Sequence, residues 1–384
     1  MARQRRAVSV AFLAFGAVSG SWVPRLPALK DHLHLSDAQV GYALVLFAAG
    51  AVLGATVARL VLSRGSRNWV RAGTVAICVA LLGPGLAAGF VPLLAATLLL
   101  GGCAGFIDVL ENAQAAELER EVGRPLINSF HGFWSLGAIL GSVGAGTAAF
   151  AGVAPLPQFA VAAIIAALAS APFLRDLPDT RSGADPTTRS TPGRSWLQGA
   201  VVAVAAIAFA GILVEGGTSD WSALYLREFS HAGPGVAAAG FAAFALAATV
   251  VRFRADLLTA RTDPATVATL GGLIAALGLA LAIAVPWLPV AVIGIALVGV
   301  GTAVLMPLAF SAGANLGSSG TSLTIVLAAA YAGSIVGPAL IGTAADHFGL
   351  RVALTILLAA AVVVTALAGT LKMADRPNPA PSRR

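Results

Sequence analysis

The sequence predicts an all-α membrane protein of twelve transmembrane helices arranged as two pseudo-symmetric six-helix bundles. Three observations carry that expectation. Apolar stretches recur along the whole chain, from Ala7–Pro24 to Val352–Leu371, each long enough to cross a hydrocarbon core about 30 Å thick, which takes roughly 20 residues of helix. Charged residues are only 11% of the chain, against about 25% in soluble domains, too few to clothe a water-facing surface. The basic residues, finally, fall in every second gap: of the 24 lysines and arginines, all but Arg25, Lys30, Arg227 and Arg351 lie on one side if the chain crosses twelve times. Basic loops stay cytoplasmic, so both termini are expected there, and omitting one helix would invert every later loop.

The expected spans are 7–28, 39–62, 70–89, 92–115, 129–151, 156–174, 197–224, 234–253, 265–285, 288–310, 321–344 and 351–371. Tight turns punctuated by Pro or Gly separate most of them, as at Val91-Pro92 and Pro286-Trp287-Leu288-Pro289. The exception is 175–196, where Pro178, Pro186 and Pro192 sit among acids, arginines and small polar residues. Such a segment cannot bury a core of its own and reads as a cytoplasmic linker. It divides an N-terminal bundle, 1–174, from a C-terminal bundle, 197–371. The tail 372–384, rich in Pro and Arg, is expected to be disordered and cytoplasmic. Laid over each other at an offset of 199, the halves pair Trp22 with Trp221, His32 with His231 and Gly41 with Gly240, which favours two parallel repeats.

Other classes are set aside by what is missing. The net charge of +7 is dispersed through short loops with no basic, aromatic-interleaved patch, so no nucleic acid partner is expected. Cys78 and Cys103 both fall inside expected helices and build neither a disulfide framework nor a metal site. Three arginines ahead of an apolar run, with Ala17-Val18-Ser19 behind, resemble a secretory signal, but the many spans that follow favour an uncleaved first helix. No phosphate loop, H-E-x-x-H or G-x-S-x-G signature is present, and no nucleophile–base pair sits at matching depth. The chain is therefore expected to be no enzyme and to need no cofactor; uphill work would draw on an ion gradient. Abundant arginine and alanine suggest a GC-rich bacterial genome, hence a bacterial inner membrane.

An ionisable side chain within a bilayer is costly and marks a functional candidate. Asp108, Glu111 and Asn112 are spaced i, i+3, i+4 on the fourth span and share a face. Two carboxylates so close repel when both are ionised, a pairing suited to taking up and releasing a proton. The opposing reading is that this helix is ending: Glu111 lies about 28 Å from Pro92 along it, near water and beside Glu117, Glu119 and Arg120. On the seventh span, Glu215, Thr218, Ser219 and Ser222 form a polar stripe beside Gly216 and Gly217, expected to loosen the helix as in a substrate site. Glu215 lies about 27 Å in from Leu197, beyond the midplane, with Asp220 and Trp221 near the outer surface. The alternative there is an interfacial tryptophan belt with snorkelling acids; Asp220 is either that or a gate. His131, opening the fifth span, is either a proton partner for Glu111 or a structural hydrogen-bonder. Trp22 and Arg25, bracketed by Pro24 and Pro27, either face a solute or sit at the interface. Gly137-x-x-x-Gly141 and Gly333-x-x-x-Gly337 are spaced for close helix packing.

At these residues the chain resembles the major facilitator superfamily over nearly its full length, and within it a bacterial branch near the fucose:proton symporters. Glu215-Gly216-x-x-x-Asp220-Trp221-Ser222-Ala223-Leu224-Tyr225-Leu226 is similar to that branch's seventh-helix signature. Asp108-Val109-x-x-Asn112-Ala113-Gln114 through Gly123-Arg124-Pro125 and Ser129-Phe130-His131 is similar to its fourth-to-fifth-helix segment. Leu110-Glu111-Asn112-Ala113 matches the stretch that carries a proton-accepting glutamate in those relatives, whereas their first-helix aspartate has no counterpart here. After the second span, where the superfamily has an aspartate, this chain reads Leu60-Val61-Leu62-Ser63-Arg64-Gly65-Ser66-Arg67; after the eighth it keeps Arg252 and Asp256, an inner-gate ion pair by that resemblance. The fifth helix lacks the proline of the drug-antiporter motif.

The resulting expectation is an alternating-access secondary carrier, monomeric in the lipid bilayer, that moves protons with a small, sugar-like solute. Proton coupling falls to Asp108, Glu111, His131 and Glu215; solute contact to Trp22, Asn112, Glu215, Ser219 and Trp221; gating to Arg252, Asp256 and Asp220. The alternatives are a proton-driven exporter of amphipathic compounds and a non-transporting membrane sensor.

Overall fold

The computed structural model describes residues 1–123, 126–180, 199–229, 231–254, 262–285, 287–316 and 321–374. Among them, eleven helices are long and apolar enough to cross a membrane, and the shorter apolar helix Pro155–Ser170 fills the sixth place in the expected order. No strand occurs among the described residues.

In the first half, α1 (Ala2–Trp22) passes through a 3-10 turn at Val23–Arg25 into α2 (Leu26–Leu33). Pro24 and Pro27 each remove a backbone donor, which accounts for the interruption. Then come α3 (Asp37–Leu62), α4 (Arg67–Ala80) with α5 (Leu82–Leu86), α6 (Phe90–Val122), α7 (Ile127–Phe150) and α8 (Pro155–Ser170). The second half comprises α9 (Gly199–Glu228), α10 (Pro234–Arg252), α11 (Pro264–Ala284), α12 (Leu288–Thr302) with α13 (Leu305–Asn315), α14 (Thr321–Phe348), then α15 (Leu350–Ala353), α16 (Thr355–Leu367) and α17 (Leu371–Ala374).

The packing repeats between halves. α1 lies on α7 and α3 on α6; six spans later α9 lies on α14 and α10 on α12. The halves meet through α3 on α14 and α7 on α10, which are equivalent pairings taken in opposite order. The expected glycine seams are used. A Cβ on Gly141 would lie 2.2 Å from the Ala17 carbonyl oxygen of α1, and one on Gly333 2.4 Å from the Ile212 side chain of α9. Nothing larger than glycine fits without moving a helix.

Four expectations change. α6 runs on to Val122, well past 115, because Leu110, Gln114 and Leu118 continue its buried face while Arg120 and Glu121 stay exposed. Its last turns also serve α7, whose first N–H groups at Leu126 and Ile127 donate to the Glu119 carboxylate at 2.6 and 2.9 Å, filling the role of an N-cap. α9 is unbroken at Gly216–Gly217; a Cβ on Gly217 would meet Ile341 and Leu357 at 2.7 Å, so that glycine serves close packing.

Of the expected linker, 175–180 is docked and 181–196 lies outside the described residues. Ser66 and Thr180 exchange hydrogen bonds, Gln114 donates to the Pro178 carbonyl at 2.9 Å, and Leu177 is fully buried. Asp179 accepts from the Arg67 N–H at 3.3 Å, so a carboxylate from this segment reaches the loop that lacks its own aspartate. The tail from 375 onward lies outside the described residues. The repeat register, last, is 197 at this junction rather than 199: the two left-handed residues that end the first and seventh spans are His34, at φ 53°, and His231, at φ 50°.

Candidate functional site

The end of the molecule that holds Arg59, Arg120 and Arg252 is here the basic end. With α6 extending to Val122, Glu111 stands eleven residues short of its terminus, so the reading in which the helix ends there does not hold. At 3.6 residues per turn, Asp108 and Asn112 are separated by about 40° around the axis, and Glu111 lies about 60° to the other side of Asp108. That rotation decides their surroundings. Asp108 is exposed, while Glu111 is 1% exposed. Neither Glu111 carboxylate oxygen has a hydrogen-bond partner among the described residues.

Asp108 begins a polar chain. Asn112 Nδ2 donates to its carboxylate at 3.0 Å, and the Asn112 amide oxygen accepts from His131 Nε2 at 3.1 Å. Phe12 packs edge-on to the His131 ring at 5.3 Å. The structure thus joins His131 to Asn112 and Asp108 rather than to Glu111. From the other half, Phe253, next in sequence to Arg252, covers Gly132, next to His131.

Arg252 is held by α9. Its Nη2 donates to Glu215 Oε1 at 2.5 Å and its Nε to the Ala303 carbonyl, between α12 and α13, at 3.4 Å. The pair is partly open, with side-chain exposures of 40% for Arg252 and 19% for Glu215. Asp256, the gate partner expected for Arg252, lies outside the described residues. Glu215 was expected beyond the midplane, but its partner sits at the end of α10 on the basic side. α9 continues to Glu228, thirteen residues further on, so Glu215 stands nearer mid-span than a helix ending at 224 implies.

The remaining candidates lie apart from this cluster. Trp221 is fully buried and Trp22 is 2% exposed, stacked on Phe47 at 5.4 Å; neither is an interfacial anchor, and neither offers a free face to a solute in this conformation. Arg25 is buried as well and donates to the Ala145 and Val153 carbonyls of the α7–α8 region at 3.4 and 2.5 Å, so it braces the first bundle. Ser219 and Ser222 spend their hydroxyls on the backbone of α9, and Ser219 also donates to Asp220 at 3.2 Å. Asp220 is only partly exposed and eight residues inside the end of α9, which is deeper than a surface position. Grooves of about 430 and 440 Å³ open between α1, α7 and α8 and between α9, α14 and α16, and the residues lining them include none of this cluster.

The Glu215–Arg252 pair escaped sequence reasoning because its members are 37 residues apart. The available signal was depth: a helix entering the membrane and its antiparallel neighbour bring those two positions toward the same level.

Two six-helix halves packed through equivalent helices, with polar groups of each gathered where Phe253 of one covers Gly132 of the other, define a polytopic membrane carrier. The model of the Major Facilitator Superfamily matches residues 7–321, and this chain belongs to that superfamily. It is 35% identical over 371 residues to the uncharacterized transporter y4wD of Sinorhizobium fredii, covering 96% of this chain and 98% of that one. Against the membrane protein MosC of Rhizobium meliloti it is 30% identical over 363 residues, 93% of this chain and 88% of that one. Its fold is similar to the nucleoside transporter NupG, with a TM-score of 0.70 at 14% identity over 98% of this chain and all of that one. FucP in its outward conformation gives 0.62 at 16% identity over 97% and 99%. The protein is a multi-pass membrane transporter.

Proposed function

We propose that this transporter couples proton movement to the passage of a small polar, sugar-like solute by alternating access between two bundles, 1–174 and 197–371. The observation that carries the reading is Glu111: a carboxyl buried in a membrane helix with no hydrogen-bond partner among the described residues. A permanent negative charge in that place, with no ion pair or hydrogen bond from the described residues, is costly. The position suits an acid that gains and loses a proton, and Asp108, one turn away at the open face, supplies the route out. Asn112, His131, Glu215 and Arg252 gather polar groups of both halves around the same space, as a polar solute requires. NupG is titled a nucleoside transporter, in keeping with a polar cargo. By the distribution of its basic residues the basic end faces the cytoplasm of a bacterium, with both termini inside.

The test is uptake of a solute panel, sugars and nucleosides included, into proteoliposomes loaded with a pH-sensitive dye. One solute class acidifies the lumen with the native protein, and Glu215→Gln abolishes that acidification. Unchanged traces in Glu215→Gln would remove Glu215 from the mechanism.

A further inference from the structure

At the end opposite the basic one, two ion pairs cross from one half to the other. Lys30 Nζ reaches Glu228 Oε1 at 2.5 Å, and Arg227 Nη2 reaches Asp31 Oδ2 at 3.2 Å. Their positions are related by the repeat. The register that superposes the left-handed His34 and His231 also superposes Lys30 on Arg227 and Asp31 on Glu228. Each half therefore presents a basic residue followed by an acid at the same place, and each basic residue takes the acid of the other half. The residue types differ between halves while the order of charge is kept. Two equivalent sites related by a two-fold axis satisfy each other in this reciprocal way, and a chance surface pair has no reason to be doubled.

The surroundings place these pairs on a closing surface. At the same end, a Cβ on Gly41 would lie 2.4 Å from the Pro338 carbonyl oxygen, and one on Gly235 2.6 Å from Phe150, so α3 touches α14 and α7 touches α10 across the halves. The pairs themselves stay in reach of water, with side-chain exposures from 17% at Lys30 to 61% at Asp31. Pairs so exposed are weak, which is what a reversible closure needs. Lys30 also holds Asp37 of its own half at 2.7 Å, so it remains paired when Glu228 departs.

We propose that Lys30, Asp31, Arg227 and Glu228 form a reciprocal latch that holds the outer ends of the two bundles together, and that outward opening breaks both pairs at once. The inference rests on the alternating-access reading above and adds to it the residues that close the outer side.

The test uses full-length protein in lipid nanodiscs, with Cys78→Ser and Cys103→Ser as background. Spin-label pairs are placed at the outer end (His32→Cys with Gly233→Cys) and at the basic end (Glu121→Cys with Arg254→Cys), and distances are measured by pulsed dipolar spectroscopy. Arg227→Glu, which sets a carboxylate against Asp31, is expected to raise the ratio of long to short outer distances about threefold to tenfold, the range set by losing exposed pairs, and to narrow the basic end in step. Adding Asp31→Lys to Arg227→Glu rebuilds one pair with its sign reversed and brings the ratio back to within about twofold of the native one; that recovery also shows the chain is folded. Should the native protein show two distance populations that Arg227→Glu leaves unaltered, or the reversed pair fail to recover them, the latch is overturned while alternating access stands. A single population at both ends in every variant, at acidic and alkaline pH alike, overturns the alternating-access reading and the latch with it.

Discussion

Asp108 and Glu111 are chemically near-identical groups one helical turn apart, and the backbone gives them opposite surroundings. Asp108 meets Asn112 and open space; Glu111 is turned into the bundle with no hydrogen-bond partner among the described residues. Leaving a buried carboxyl unpartnered costs about 1–3 kcal/mol, so its presence works against stability. Glu111→Leu is accordingly expected to raise stability by about that amount, seen as a higher unfolding temperature in detergent, while coupled uptake is lost. A lower unfolding temperature would mean that Glu111 has a structural partner. The Glu215–Arg252 pair behaves differently. With 40% and 19% of its side chains exposed, each single replacement by alanine is expected to cost about 1 kcal/mol or less. The double replacement should cost less than the sum of the two, and a double-mutant cycle in thermal unfolding measures the difference.

Helix α6 shows what the sequence made legible at the scale of an element and what it hid. Its apolar period located the span and put Asp108, Glu111 and Asn112 on one face; Asp108 and Asn112 do share a polar chain with His131, but Glu111 is rotated away from them and buried. The charge-rich run from Glu117 to Glu121 reads as solvated loop, yet it is helix, because only one face of it meets water and the other carries Leu118 into the core. That difference removes the opposing reading, in which Glu111 sits at a helix end. Side-chain partners were harder to read: Trp22 and Trp221, each expected near a solute or an interface, are buried, and burial was decided by neighbouring helices that no local pattern names. Glycine seams were legible because the constraint is steric and local. Gly141→Leu, with its Cβ against the Ala17 carbonyl oxygen, should cost about 1–3 kcal/mol, whereas Gly144→Ala, which meets nothing within 4 Å, should be neutral or stabilising by up to about 1 kcal/mol; thermal unfolding of the two side by side checks the contrast. Glu119→Ala removes the acceptor for two N–H groups of α7, and hydrogen exchange at Leu126 and Ile127 should quicken while the middle of α7 is unaffected.

Across the whole molecule, the alternation of basic loops foretold twelve crossings, and the cross-half contacts of α3 with α14 and α7 with α10 carry the two-fold logic of the fold. The repeat register was two residues out at the first junction, since glycine and tryptophan matches are tolerant of small shifts while a left-handed helix end is not. The proposed function turns, at this scale, on whether the buried acid moves a proton during transport. The most direct measurement compares two modes of transport in proteoliposomes containing Glu111→Gln: exchange of labelled for unlabelled solute, which needs no net proton transfer, and net uptake driven by an imposed pH gradient. The account predicts that exchange continues within about twofold of the native rate while gradient-driven uptake falls at least about tenfold, a loss of about 1.4 kcal/mol or more of driving interaction. Gradient-driven uptake equal to that of the native protein would contradict it.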